Sequence, residues 1–160
     1  MPLKSVGTIT IPNAEGSSFD HGAFDPKTRR VFIAHTQRDS VEVIDHGTQR
    51  HIATVPGFPG VAGAVVDDGE VLLTNRGSAS IAWMSAESFK TEAVFETGPR
   101  PNGAAIVKRL ALGIAACIGS DTETPTLQSF HLRNGRVAKL ELPGRPLGHA
   151  HIFSDRKTDS

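Results

Sequence analysis

With 160 residues, 17 basic and 17 acidic, the chain has the size of one domain and no net charge. That balance argues against an electrostatic grip on nucleic acid or on an anionic membrane, both of which need a basic face. Cys117 is the one cysteine, so no intrachain disulfide can form, and no apolar run approaches the roughly 18 residues that span a bilayer. The first residues lack a basic segment followed by an apolar core of about 7–15 residues. No secretory signal is therefore read, and the cytoplasm is the expected compartment.

Residues 6–11 alternate, are rich in β-branched side chains and end at Pro12, which predicts a strand. A polar loop follows at 13–18. Four strands are predicted at 20–24, 30–35, 40–45 and 50–55, with Asp25-Pro26-Lys27-Thr28-Arg29 as the first turn. A second set runs 61–66, 70–75, 79–84 and 91–96, its first turn compressed to Asp67-Asp68-Gly69, a tight-hairpin signal. A third runs 103–107, 110–117, 126–131 and 137–142. After Gly148, His149-Ala150-His151-Ile152-Phe153 reads as one more inner strand, and 154–160 as a disordered polar tail. Residues 104–117 are rich enough in Ala, Leu and Ile to form a helix on propensity alone. Gly113 and the register with the earlier sets favour a strand.

The sets are copies of one another. Phe32-Ile33-Ala34-His35 laid over Leu72-Leu73-Thr74-Asn75 gives an offset of 40, and Ser40-Val41-Glu42-Val43-Ile44-Asp45 over Ser80-Ile81-Ala82-Trp83-Met84-Ser85 gives 40 again. In the third copy Ile114-Ala115-Ala116-Cys117 and Thr126-Leu127-Gln128-Ser129-Phe130-His131 follow after 42 and 46 residues, the drift being absorbed by a longer polar turn at 118–125. Gly22, Gly63, Gly103 and Gly148 recur at spacings of 41, 40 and 45.

A period near forty with four short strands per unit is the signature of a β-propeller. One blade has two apolar faces, and stacking blades about an axis buries face on face. The expectation is an all-β partial β-propeller, WD40-like in architecture. It has about three four-stranded antiparallel blades (20–55, 61–96 and 103–142) in a single domain, 1–153, with an orphan strand at each end. Closed rings have about 4–8 blades. Three blades then predict half a ring completed by self-association, or a piece of a longer parent of about seven. A composite fourth blade made from the two orphan strands is the alternative. An open ring exposes sheet edges and apolar faces, which favours association.

The pattern resembles the YVTN-type β-propeller repeat family. The naming Tyr-Val-Thr-Asn run is matched by Phe32-Ile33-Ala34-His35, by Leu72-Leu73-Thr74-Asn75, which keeps the Thr and the Asn, and by Ile114-Ala115-Ala116-Cys117. This resemblance implies a fold and not a reaction, and the expected function is a non-catalytic binding or scaffolding module without a cofactor.

Propeller sites gather where inner strands converge. Before the repeated glycines stand His21, Ala62, Asn102 and Leu147. His21 and Asn102 are polar and are the candidate ligand-binding residues; hydrogen-bonded turn roles are the alternative. Pro101-Asn102-Gly103 is similar to a segment of the gluconolactonase-type, regucalcin-like propellers. That resemblance implies Asn102 as a ligand of a divalent cation such as calcium, with Glu15 of Glu15-Gly16 as another. With His21 added, the candidate metal set is Glu15, His21 and Asn102, and the alternative function is a metal-dependent lactonase-like hydrolase. The family's second Asn aligns with Ala62 and its Asp has no counterpart here, whereas calcium takes about 6–8 oxygens.

Other features read blandly. Cys117 sits in an apolar run as a small core residue, and Trp83 falls at an inward alternation point. His149 and His151 share a strand face. Ser17 and Ser18 lie in a turn, and Arg29-Arg30 and Lys108-Arg109 read as solvated turn charge. No phosphate-cradling glycine loop is present. Few aromatics and no tyrosine argue against a stacking platform for single strands.

Overall fold

The structure, a computed structural model, describes residues 2–144. The predicted inner strand at 149–153, the tail at 154–160, Leu147, His149 and His151 lie outside the described residues.

Among the described residues, twelve strands form three four-stranded antiparallel sheets, each a meander in chain order. Blade one holds β1 (Gly22–Asp25), β2 (Arg30–His35), β3 (Ser40–Asp45) and β4 (Arg50–Pro56). Blade two holds β5 (Val61–Asp67), β6 (Glu70–Asn75), β7 (Ser80–Ser85) and β8 (Thr91–Glu96). Blade three holds β9 (Pro101–Val107), β10 (Leu112–Cys117), β11 (Thr126–His131) and β12 (Val137–Glu141). This is the expected partial propeller, and 104–117 is strand with one tight turn rather than helix.

Three details differ from expectation. Residues 6–11 join no sheet. Instead Val6 and Ile9 lie along the outer side of blade one beside Val31 and Ile44, lining a groove of about 290 Å³. Alternation makes a segment competent to pair, but no free strand edge reaches it there. The first inner strand starts at Gly22, two residues later than read. Leu110 closes a 3-10 turn, Lys108–Leu110, instead of opening β10.

Five of the hairpin turns follow one recipe. Arg29, Asp39, Gln49, Ala79 and Ala111 all have left-handed φ, between 45° and 57°, one residue before β2, β3, β4, β7 and β10. The residue ending the preceding strand often caps the turn. Asp25 accepts from the Thr28 amide at 3.1 Å, Asp45 from the Thr48 amide at 2.6 Å, and Ser85 from the Ser88 amide at 3.3 Å. Such short side chains mimic a backbone turn. The Thr48 amide and hydroxyl also hold the Asp45 carboxyl below the usual carboxylate range. At 67–70 the loop shrinks to Asp68-Gly69, φ 47° and 85°, the doubly left-handed pair that a two-residue hairpin requires.

The middle blade explains its own composition. Val71, Leu73, Ala82 and Met84 point to blade one, where they meet Phe32, Ala34, Val41 and Val43. Leu72 and Ile81, with half-buried Trp83, point to blade three and meet Ile106, Ala115, Phe130 and Leu132. Buried on both faces, β6 reads Val71-Leu72-Leu73 without alternation. The terminal blades alternate: Phe32 and Ala34 are fully buried between half-exposed Val31 and Ile33, and β10 buries Gly113 and Ala115 between Leu112 and Ile114. Gly113 is the snug point of this interface. A Cβ there would sit 3.0 Å from Leu72 Cδ2. Trp83 is not wholly core, since its indole Nε1 donates to Glu70 Oε2 at 2.6 Å.

Directed polar links join the blades at the turn end. Asp25, fully buried, accepts from the Gly69 amide of blade two at 3.2 Å, and Asp67 at the same place in β5 accepts from the Lys108 amide of blade three at 2.8 Å. Arg30 is not solvated turn charge as read. Its Nη1 donates to the Ala86 and Glu87 carbonyls at 2.6 and 2.7 Å, with the guanidinium 4.8 Å over the Phe89 ring. Lys108 Nζ instead reaches the Asp68 carbonyl at 2.6 Å, and the ion pairing there lowers the Asp68 pKa. Among the described residues no helix is long and apolar enough to cross a membrane.

Candidate functional site

The innermost strands β1, β5 and β9 lie side by side. Their small residues leave a groove of about 380 Å³ lined by Gly22, Gly63, Gly103 and Ala104 on its floor and by His21 and Asn102 at its polar end. The period of the repeat produces this. Each blade contributes one glycine to the groove, and in blades one and three the residue before that glycine, His21 or Asn102, lines it as well.

Both candidate ligand-binding residues therefore reach one groove. Their side chains are joined by a relay. His21 Nδ1 lies 2.5 Å from Asp20 Oδ1, Asp20 Oδ2 lies 3.3 Å from Arg76 Nη1, and Arg76 Nη2 donates to Asn102 Oδ1 at 2.5 Å. Arg76 Nε is buried without a hydrogen-bond partner in the protein. Arg76, on the turn after β6, is the residue that reading the sequence passed over. Its signal is a lone cation directly after the Asn75 of the best-kept repeat motif. Glu15 stands exposed in the polar loop, outside the groove lining. Among the described residues no three His, Cys, Asp or Glu side chains gather into a group fit for a metal ion.

Thr74, the retained Thr of the repeat motif, locks the groove wall. Its hydroxyl accepts from the Gly63 amide at 2.8 Å and donates to the Asn102 carbonyl at 2.9 Å. A Cβ at Gly63 would lie 2.6 Å from that carbonyl and 2.6 Å from Thr74 Oγ1. Gly63→Ala should cost about 1–3 kcal/mol, because backbone must shift to admit the methyl group. Urea unfolding checks this, and a midpoint equal to wild type would show the wall to be compliant.

A second polar cluster lies in blade one, and no part of it was expected. Glu42, 1% exposed, accepts from four groups: His35 Nδ1 at 2.8 Å, Ser40 Oγ at 3.0 Å, His51 Nε2 at 2.8 Å and Thr54 Oγ1 at 2.6 Å. Burial pushes the Glu42 pKa up, but the hydrogen bonds from Thr54, His35, His51 and Ser40 outweigh it and hold the carboxyl below its ordinary value. Strand pairing builds the cluster. Glu42 faces Thr54 directly across β3 and β4, and His35 faces Ser40 across β2 and β3. On its far side His35 Nε2 meets Ser17 Oγ at 2.7 Å, and Phe19 stacks on the imidazole at 4.1 Å. Cys117 is fully buried, and burial pushes its thiol pKa up, as befits an inert core residue.

No family model matches the sequence, and no curated protein matches it. Solved structures do resemble it in shape. Hydrazine synthase of Kuenenia stuttgartiensis superposes with TM-score 0.71 at 16% identity over 89% of this chain and 40% of that one. A streptogramin B lyase gives 0.66 at 13% identity over 81% and 42%. The WD40 β-propeller domain of Doa1 gives 0.61 at 16% identity over 79% and 41%. The chain thus spans less than half the length of each of these three. Identities this low speak to architecture alone, and together with the three stacked sheets they establish that the chain folds as part of a β-propeller.

Proposed function

We propose that the chain is a binding module, non-catalytic at its axial groove, in which His21, Arg76 and Asn102 receive a small polar molecule bearing an acceptor oxygen. The observation that carries this reading is the convergence of His21 and Asn102 on a groove floored by glycine and alanine, with Arg76 hydrogen-bonded to Asn102 behind it. Pockets that bind small molecules are concave, mostly apolar and carry a few placed polar groups. Screening small carboxylates by thermal shift tests it. A ligand at 100 times its Kd adds about 2.7 kcal/mol of stability, and Asn102→Ala should abolish the shift. A ligand whose shift survives both Asn102→Ala and Arg76→Ala binds elsewhere.

The groove is open on one side, and its completion requires further blades. The reading includes a second copy as their source. Sedimentation equilibrium should return twice the chain mass at micromolar concentration. A monomer at every concentration would remove that part.

A metal-dependent, lactonase-like hydrolase is the second reading, favoured by Asn102 lining the groove. It expects calcium, zinc or manganese to raise the melting temperature. If none of the three moves it, the reading goes.

A further inference from the structure

The chain Ser17–His35–Glu42 has the order and spacing of a nucleophile, a base and an orienting carboxylate. Ser17 Oγ is 2.7 Å from His35 Nε2, and His35 Nδ1 is 2.8 Å from Glu42 Oε1. Glu42 is ionised and can only accept, so His35 must donate from Nδ1. In its neutral form the ring then keeps its lone pair on Nε2, aimed at the Ser17 hydroxyl. That is the tautomer a general base needs, fixed by a carboxylate that is itself held by Ser40, His51 and Thr54. Such a constellation is recognised by geometry and roles rather than by chain order.

Access differs along the chain of residues. Glu42 and His35 are 1% and 0% exposed, whereas Ser17 is half-buried at the surface end. Ser17 follows Gly16, whose φ of 64° closes a turn in which the Ser17 amide donates to the Ala14 carbonyl at 3.1 Å. Phe19, 40% exposed and stacked on the imidazole to which the hydroxyl is bonded, offers an apolar surface at the site. Thr36, next to His35 in sequence, keeps a buried hydroxyl with no hydrogen-bond partner.

We propose that Ser17 is an activated nucleophile, with His35 as its base and Glu42 as the positioning carboxylate, that turns over esters of short apolar acyl groups. The site is separate from the axial groove and does not depend on the reading given for it. Ser17 Oγ bonds to the acyl carbon while its proton passes to His35 Nε2. The ester C–O bond breaks and the alcohol leaves with that proton. Water then attacks the acyl-serine, His35 takes and returns a second proton, and the carboxylic acid departs. Ester and water are consumed, and acid and alcohol are produced.

The test is labelling of the whole chain with a fluorophosphonate probe, read by peptide mass spectrometry, with p-nitrophenyl acetate turnover in parallel. The expected result is a single adduct on Ser17 and acetate release that Ser17→Ala removes. Glu42→Gln, nearly isosteric, should slow labelling about 100-fold. Ser17→Ala and Ser17→Cys keep the test sound should Glu42→Gln fail to fold, since Ser17 lies on a loop outside the sheets. Ser17→Cys should react with iodoacetamide faster than a free thiol in the same buffer. Absence of a Ser17 adduct on folded protein, or turnover unchanged in Ser17→Ala, would overturn the proposal and leave the three residues a tether between the loop and blade one.

Discussion

Glu42→Ala should destabilise the protein by about 3 kcal/mol, a large part of the roughly 5–15 kcal/mol that holds a domain of this kind folded. Four donors converge on this carboxylate. Two of them, Thr54 and His51, reach solvent and can replace the bond with water. His35 and Ser40, 0% and 2% exposed, cannot. Each buried donor left without an acceptor costs about 1–3 kcal/mol. Urea unfolding at neutral pH should show the loss, and a midpoint shift worth less than about 0.5 kcal/mol would mean that the cluster relaxes around the gap. The same group sets an acid limit. Its folded-state pKa lies below its unfolded one, so its contribution is complete above the unfolded value and disappears as pH falls through the folded value. Glu42→Gln should therefore flatten the decline of stability in acid, while wild type declines steeply.

Leu72→Ala should cost about 3–4 kcal/mol through a cavity between blades two and three. Leu72 is fully buried among Ile106, Ala115, Phe130 and Leu132, and the Gly113 backbone lies against its methyl groups. Strand backbone cannot move into the gap without breaking the β9–β10–β11 ladders. Leu140→Ala, at a side chain 61% exposed, is the control and should stay within about 0.5 kcal/mol. Equal losses in the two variants would show that blade three is not docked through Leu72.

The three-blade plan was legible because it rests on repetition, and repetition survives weak local signals. Residues 104–117 have helical propensity, yet Gly113 matches a position where a Cβ would press on Leu72 at 3.0 Å. Residues 6–11 were misread because alternation reports a chain's suitability for a sheet, not the presence of a neighbour. His21 and Asn102 were found from their place before the repeated glycines, and they do line one groove. The Glu42 cluster was not found. In Val41-Glu42-Val43 the charged residue looks like the solvent side of an alternating strand, and only cross-strand register reveals Thr54 opposite it and the two histidines converging on it. Asp25 and Arg30 were missed similarly, since their partners lie more than forty residues away.

The carboxylate links at the turn end give the stack a polarity. Asp25 reaches forward to blade two and Asp67 reaches forward to blade three, but the corresponding end of β9 is Val107, which has no carboxylate to offer. Any further blade seated on the Leu112 and Ile114 face would be held by side-chain packing without that staple. In a two-copy ring the seam between copies would then be the weakest joint. Dilution would open it well before either internal joint gives way.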